Sequence, residues 1–230
     1  LLHVRDAMKL DSADNNLFGV IQDYRHEGKI FIYMGSYQKG IVSVEKSLSL
    51  SEGKEQSLKN VNRLTIADSY LVLGQLYSVL GKLERSLEYS NKALAIFRQT
   101  GDRRGEMESY LTLGSIYSDL GDLVAAQILT EQSIRIAGDL NMGTARQYQM
   151  LSSINSSLGK YEDALRCQEK ALLDERKYKI LGQLIWANIG MGDIYRDLGD
   201  INNAERYYHI ARQIKDTASL KTGSLQASLD

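Results

Sequence analysis

The sequence has no proline in 230 residues, where average usage near 5% would supply on the order of eleven. That absence argues against proline-punctuated loops and linkers, and with 19 glycines it favours long helices separated by glycine. A single cysteine, Cys167, allows no internal disulfide, so nothing demands an oxidising compartment. Histidine is scarce too. His3, His26 and His209 lie far apart, and none has a partner at metal-ligand spacing, so no metal and no cofactor is expected. No charge dominates: 28 Lys+Arg stand against 29 Asp+Glu, for a net charge of −1. Counted by stretch, the charge runs −1 over 1–53, +3 over 54–100, −4 over 101–140, +2 over 141–180 and −1 over 181–230. That alternation offers no basic stripe for nucleic acid and no field for an anionic membrane. No apolar run approaches the 18 residues of a membrane span. The opening Leu1-Leu2-His3-Val4-Arg5-Asp6 has neither an initiator methionine nor the pattern of a signal peptide. The expectation is a cytoplasmic segment of a longer protein.

What the sequence does contain is a repeated phrase. Residues 73–86 read LGQLYSVLGKLERS, residues 113–126 LGSIYSDLGDLVAA and residues 191–204 MGDIYRDLGDINNA. Weaker copies stand at 151–164 (LSSINSSLGKYEDA) and 27–40 (EGKIFIYMGSYQKG). The second glycine falls at Gly35, Gly81, Gly121, Gly159 and Gly199, at spacings of 46, 40, 38 and 40 residues. Each copy predicts one helix pair. An apolar stripe such as Tyr110, Leu113, Tyr117 and Leu120 has helical spacing. The following glycine supplies the positive φ that ends a helix, and Asp122 or Asp200 then serves as N-cap. Small residues, namely Gly40, Ser86, Ala126, Ala164 and Ala204, mark a close helix crossing. Gly28, Gly74, Gly114 and Gly192, with Ser152 in the fourth copy, sit inside the first helix. A glycine there costs about 1 kcal/mol against alanine unless packing requires it.

The set Tyr110, Leu113-Gly114, Tyr117, Gly121, Ala126 and Ser133 resembles the tetratricopeptide repeat (TPR). So does Tyr70, Leu73-Gly74, Tyr77, Gly81, Ser86 and Ala93. The last copy keeps Gly192, Tyr195, Gly199, Ala204 and Ala211; the fourth keeps Tyr148, Gly159, Ala164 and Ala171. Two departures stand out. The usual period is about 34 residues, and the position where proline often follows the second helix holds Glu52, Arg98, Gly138, Arg176 and Asp216. The long period is similar to arrays of the partner-of-inscuteable class and to bacterial TPR signalling arrays. The resemblance implies an all-α, right-handed superhelix, an α-solenoid of about five helix-turn-helix repeats. Their bounds are about 15–53, 62–100, 102–138, 142–178 and 180–215. Residues 1–11 would end a preceding helix, and residues 217–230 would form a cap or a tail. A polar loop is expected between Ser51 and Asn62, and the whole chain is expected to be one extended unit.

The resemblance also places function on the inner surface formed by the first helices. Carried over position by position, that surface holds Arg25 and Lys29, then Leu71, Gln75 and Ser78, then Leu111, Ser115 and Ser118. The fourth repeat contributes Arg146, Gln149 and Ser153, and the fifth Trp186, Ile189, Asp193 and Arg196. Short polar groups suit hydrogen bonding to a peptide backbone, and the apolar positions suit anchor side chains. The carboxylate clamp of chaperone-binding TPRs is not expected. Lys29 is present, but Leu71, Gln75, Leu111 and Ser115 stand where its other groups belong. Cys167 is expected to be a buried filler, and no glycine cluster forms a phosphate loop. The reading is a non-enzymatic scaffold that binds a peptide or helical segment of a protein partner, with no nucleic acid and no membrane. The alternative is the sensor region of a larger signalling protein that binds a signal peptide or its own effector domain. Self-association through the end repeats is a further possibility.

Overall fold

The computed structural model describes residues 1–14, 16–51, 61–178 and 181–226. Among them the chain is all α-helix, with no strand. The helices are α1 (Leu2–Ala13), α2 (Leu17–Tyr33), α3 (Tyr37–Ser51), α4 (Val61–Val79), α5 (Leu83–Thr100) and α6 (Arg103–Asp119). They continue with α7 (Leu123–Asp139), α8 (Ala145–Ser157), α9 (Tyr161–Tyr178), α10 (Leu181–Asp197) and α11 (Ile201–Gln226). They form two compact units, Leu1–Leu129 and Thr130–Asp230, with the boundary inside α7. The all-α helical-repeat class expected from the phrase is the class observed.

The first unit is built from helix pairs. Helix α2 packs on α3 and α4 on α5, while α3 meets α4 and α5 meets α6. The first helices also touch one another, α2 against α4 and α4 against α6. The second unit repeats the scheme: α8 pairs with α9, α10 with α11, and the first helices α8 and α10 lie against each other. Buried side chains fill the contacts. Ile41, Val44 and Leu48 of α3 cluster with Val72, Leu73, Leu76 and Tyr77 of α4. In the second unit Leu172 of α9 packs with Ala187 and Met191 of α10.

One local device ends the helices. Gly35, Gly81, Gly101, Gly121, Gly159 and Gly199 all have positive φ, between 66° and 81°. At Gly81 the Lys82 N–H donates to the Tyr77 carbonyl at 2.9 Å and the Gly81 N–H donates to Ser78 at 2.8 Å. This is the pair of bonds that satisfies the last carbonyls of a helix. The same pair recurs at Gly121, where Asp122 donates to Tyr117, and at Gly199, where Asp200 donates to Tyr195. After α7 the device is kept without glycine. Asn141 has φ 53°, and the Met142 N–H donates to the Ala137 carbonyl at 2.9 Å. The two predicted N-caps are present. Asp122 accepts from the Ala125 N–H at 3.0 Å, and Asp200 accepts from the Asn203 N–H at 3.1 Å.

The small residues do what the phrase predicted. Gly40, Ser86, Ala126, Ala164 and Ala204 are all buried. A Cβ added at Gly28 would run into Val44 of the paired helix, and one at Gly74 would run into Ser90. In the fourth pair Ser152 takes the place of glycine and donates to the Ala164 carbonyl at 2.8 Å; Ser86 makes the reciprocal bond to the Gly74 carbonyl at 2.7 Å. Leu120 departs from its stripe: at the turn, it is exposed.

The extra length of the repeat lies in the helices. Helices α4 to α7 have 17 to 19 residues, and the turn around Gly81 or Gly121 spans three residues. Arg98, Gly138, Arg176 and Asp216 therefore fall inside helices. Proline there would remove an i→i−4 hydrogen bond and clash with the preceding turn. Glu52 and most of the expected Ser51–Asn62 loop lie outside the described residues. Helix α11 runs without a break through Gln226, so residues 217–226 continue that helix.

Candidate functional site

In the first unit the inner-face positions form a polar wall whose groups bind each other. Arg25 of α2 is buried and forms an ion pair with Asp68 of α4; burial pushes its guanidinium pKa down. Gln22 of α2 donates to Thr65 of α4 at 3.5 Å. Gln75 of α4 donates to Thr112 of α6 at 3.4 Å. These bonds join neighbouring first helices. Lys29 is half-buried on the same wall. Burial and then the nearby Arg25 lower its pKa, with Glu108 opposing and Arg104 adding to the shift. Ser78, Ser115 and Ser118 are half-buried.

Two expected apolar anchors are core residues. Leu71 is 2% exposed and packs with Ala67, Ala93 and Phe97, which ties α4 to its partner α5. Leu111 is 8% exposed. The helical phase that points to the inner face at Gln75 turns, at Leu71, toward the paired helix. Arg25 likewise serves as an internal ion-pair partner and presents little surface.

The second unit carries an open cleft of about 260 Å³ between α8 and α10. Gln149, Ser152, Ser153 and Ser156 line it from α8, and Trp186, Gly190, Asp193, Ile194 and Asp197 from α10. Trp186, the only tryptophan in the sequence, is 69% exposed. The Gln149 Nε2 is buried and has no hydrogen-bond partner. Asp193 accepts two bonds through Oδ1, from Arg196 Nη1 at 3.0 Å and from the Tyr208 hydroxyl at 2.8 Å. Asp197 accepts two through Oδ1, from Arg196 Nε at 3.1 Å and Nη2 at 3.0 Å. Among the described residues each carboxylate thus keeps its Oδ2 free of protein hydrogen bonds. The bond to Asp197 raises the Arg196 pKa and keeps it charged. Arg146 and Ser153 are exposed, and Ile189 is half-buried.

One cleft residue was not legible beforehand. Gln168 comes from a second helix, α9, is 4% exposed and lines the cleft floor. Its Nε2 donates to the Ala187 carbonyl at 2.8 Å. Gly190 makes the room: a Cβ there would stand 2.7 Å from that nitrogen. The signal in the sequence is Gly190 itself, a glycine inside a helix. Cys167 is buried and accepts from Asn155 Nδ2 at 3.7 Å; burial raises its thiol pKa, which disfavours the reactive thiolate.

Among the described residues no group of three or more His, Cys, Asp or Glu is placed to hold a metal ion. Among the same residues no helix is long and apolar enough to cross a membrane.

Paired helices, Gly-ended turns and adjacent first helices define a helical-repeat protein of the helix-turn-helix type. Tetratricopeptide repeat models match residues 65–139 and residues 145–173 and 186–208, together more than half of the chain. The chain belongs to the tetratricopeptide repeat family. No curated protein is similar enough in sequence to be matched. Among solved structures the chain is similar to BtubC (BKLC) from P. vanneervenii, at 18% identity and a TM-score of 0.75, covering 94% of this chain and 88% of that one. It is also similar to the apo form of RapI, at 18% identity and a TM-score of 0.70, covering 90% of this chain and 74% of that one. A Rap protein complexed with Competence and Sporulation Factor matches at 16% identity and a TM-score of 0.75, covering 84% of this chain and 53% of that one. At such identities the likeness is one of fold.

Proposed function

We propose that this chain is a protein-interaction module that holds an extended peptide segment of a partner against its first helices, with the α8/α10 cleft as the principal seat. The observation that carries this reading is the cleft's unused binding capacity. An exposed indole, the Gln149 side chain with its buried, unpartnered amide nitrogen, and two half-free carboxylates belong to the lining of one cleft. Buried polar groups ordinarily find partners, and a rotation of the Gln149 side chain into the cleft that it lines would let its amide donate to a ligand carbonyl. A peptide main chain offers such acceptors at regular intervals, and an exposed aromatic suits an anchor side chain. In the first unit Lys29, Gln75, Ser78, Ser115 and Ser118 form a secondary, weaker wall, because much of its polar capacity joins α2, α4 and α6. A similar fold has been solved together with a separate factor, in the Rap complex, which is consistent with a binding role.

The test is direct. The chain is titrated with a library of capped nonapeptides, and binders are followed through the fluorescence of Trp186. Trp186→Ala with Gln149→Ala is then assayed by calorimetry. The reading expects the double variant to lose binding tenfold or more, with unchanged far-UV circular dichroism. A library without binders, or binders indifferent to the double variant, refutes it.

A further inference from the structure

The stripe on α10 that faces the cleft has a chemical order. Trp186, Gly190, Asp193 and Asp197 succeed one another at helical spacing, an indole at one end and two carboxylates at the other. Both carboxylates offer a free Oδ2, because Arg196 and Tyr208 take only the Oδ1 atoms. Among the described residues no cationic side chain lines the cleft; Arg196, paired with both carboxylates from outside the lining, offsets one of their two charges and leaves this end net negative. A ligand in contact with this end therefore meets negative charge, which penalises an acidic segment and favours a cation. A guanidinium suits two carboxylate oxygens especially well, because its donors form a fixed fork.

The spacing limits the ligand further. From Trp186 to the midpoint between Asp193 and Asp197 is nine residues of helix, or about 13–14 Å at 1.5 Å per residue. An extended chain rises about 3.3 Å per residue and presents alternate side chains to one face. Four residues of such a chain cover the distance and bring both side chains to the same face. The floor between them has no side chain at Gly190 and has the buried Gln168 amide, whose position Gly190 makes possible. Main chain can lie close there.

We infer that the cleft selects a basic peptide, in which an arginine or lysine bound by Asp193 and Asp197 lies four residues from an apolar or aromatic side chain packed on Trp186. This rests on the reading of the cleft as a partner's seat, and it fails separately from that reading. The probe is a positional-scanning library of nonapeptides, acetylated and amidated so that end charges play no part. The expected selection is Arg or Lys at one position and Leu, Phe or Trp four positions away, with affinity that falls as salt rises. Asp193→Asn with Asp197→Asn should weaken the best peptide tenfold or more and erase the basic preference. Asp197→Asn alone, which leaves the Tyr208 contact of Asp193 intact, should weaken it at least threefold. Trp186→Ala should erase the apolar preference and keep the basic one. Peptides that bind through Trp186 and Gln149 but show no basic preference, or tolerate both aspartate changes, overturn this inference and leave the peptide seat standing. A library with no binders overturns both.

Discussion

The two units use one repeat plan and deploy their inner-face polar groups differently. In the first, Arg25 pairs with Asp68, Gln22 with Thr65 and Gln75 with Thr112. The polar wall joins one first helix to the next. In the second, Gln149 Nε2 lacks a partner, Trp186 stands in solvent, and Asp193 and Asp197 each keep an oxygen unused. Residues at corresponding helical phases thus join neighbouring first helices in one unit and line an open cleft in the other. The lesson is that phase says where a side chain lies. Only its neighbours say whether its bonding capacity is already taken.

The comparison can be broken most sharply at Arg25. Arg25→Ala should destabilise the first unit by about 2–3 kcal/mol, because it strands a partly buried carboxylate. Urea unfolding followed by circular dichroism measures this, and peptide affinity at the α8/α10 cleft should not change. A loss of affinity equal to the loss of stability would erase the distinction between holding and reaching. Trp186→Ala with Gln149→Ala should do the reverse, with affinity down tenfold or more and stability within about 0.5 kcal/mol of the parent.

A further test concerns a first-unit polar group that is not satisfied. Asp23 is buried with Oδ2 unpartnered, and burial first, then Asp11, raises its pKa. The raised value means that the native state holds the proton more tightly than the unfolded chain does. Its stabilising contribution is complete below the ordinary carboxylate pKa and is lost as pH rises through the raised one. Asp23→Asn should therefore raise the melting temperature at pH 7 by about 2–4 °C, with the gain vanishing near pH 3 in a thermal scan. The smallest effect separates two glutamines. Gln75→Ala should cost about 0.5–1 kcal/mol through its bond to Thr112, whereas Gln149→Ala should cost nothing in the same urea titration.

Much of the fold was legible in the sequence because its determinants are local. Gly81 and Gly121 announce helix ends by the φ that they permit, Asp122 and Asp200 cap the helices after them, and Gly74 and Ser86 mark a crossing. The joint after α7 was harder to read, because Asn141 there takes the conformation that glycine takes elsewhere. The site was less legible. Leu71 and Leu111 share the inner-face register, but nothing in one helix's pattern shows that Phe97 and Ala93 close over Leu71. Gln168 has no signature in its own helix, because it reaches the cleft from a second helix, across a gap visible only as a glycine on another element. Gln149, Ser153, Trp186 and Asp193, all named from the repeat phase, line the α8/α10 cleft, and Trp186 is exposed there.

The turn glycines have a consequence for how such a chain can change length. A Cβ at Gly81 or Gly121 would meet nothing within 4 Å, and both turns close with the same two backbone hydrogen bonds. The two positions are 40 residues apart, so each is a seam, and the segment between them can be cut out like a link from a bracelet. Joining Gly81 directly to Asp122 would remove α5 and α6, hand the Tyr77 carbonyl to a new donor and place a capping aspartate where Lys82 now stands. The shortened chain should keep the helicity per residue of its parent.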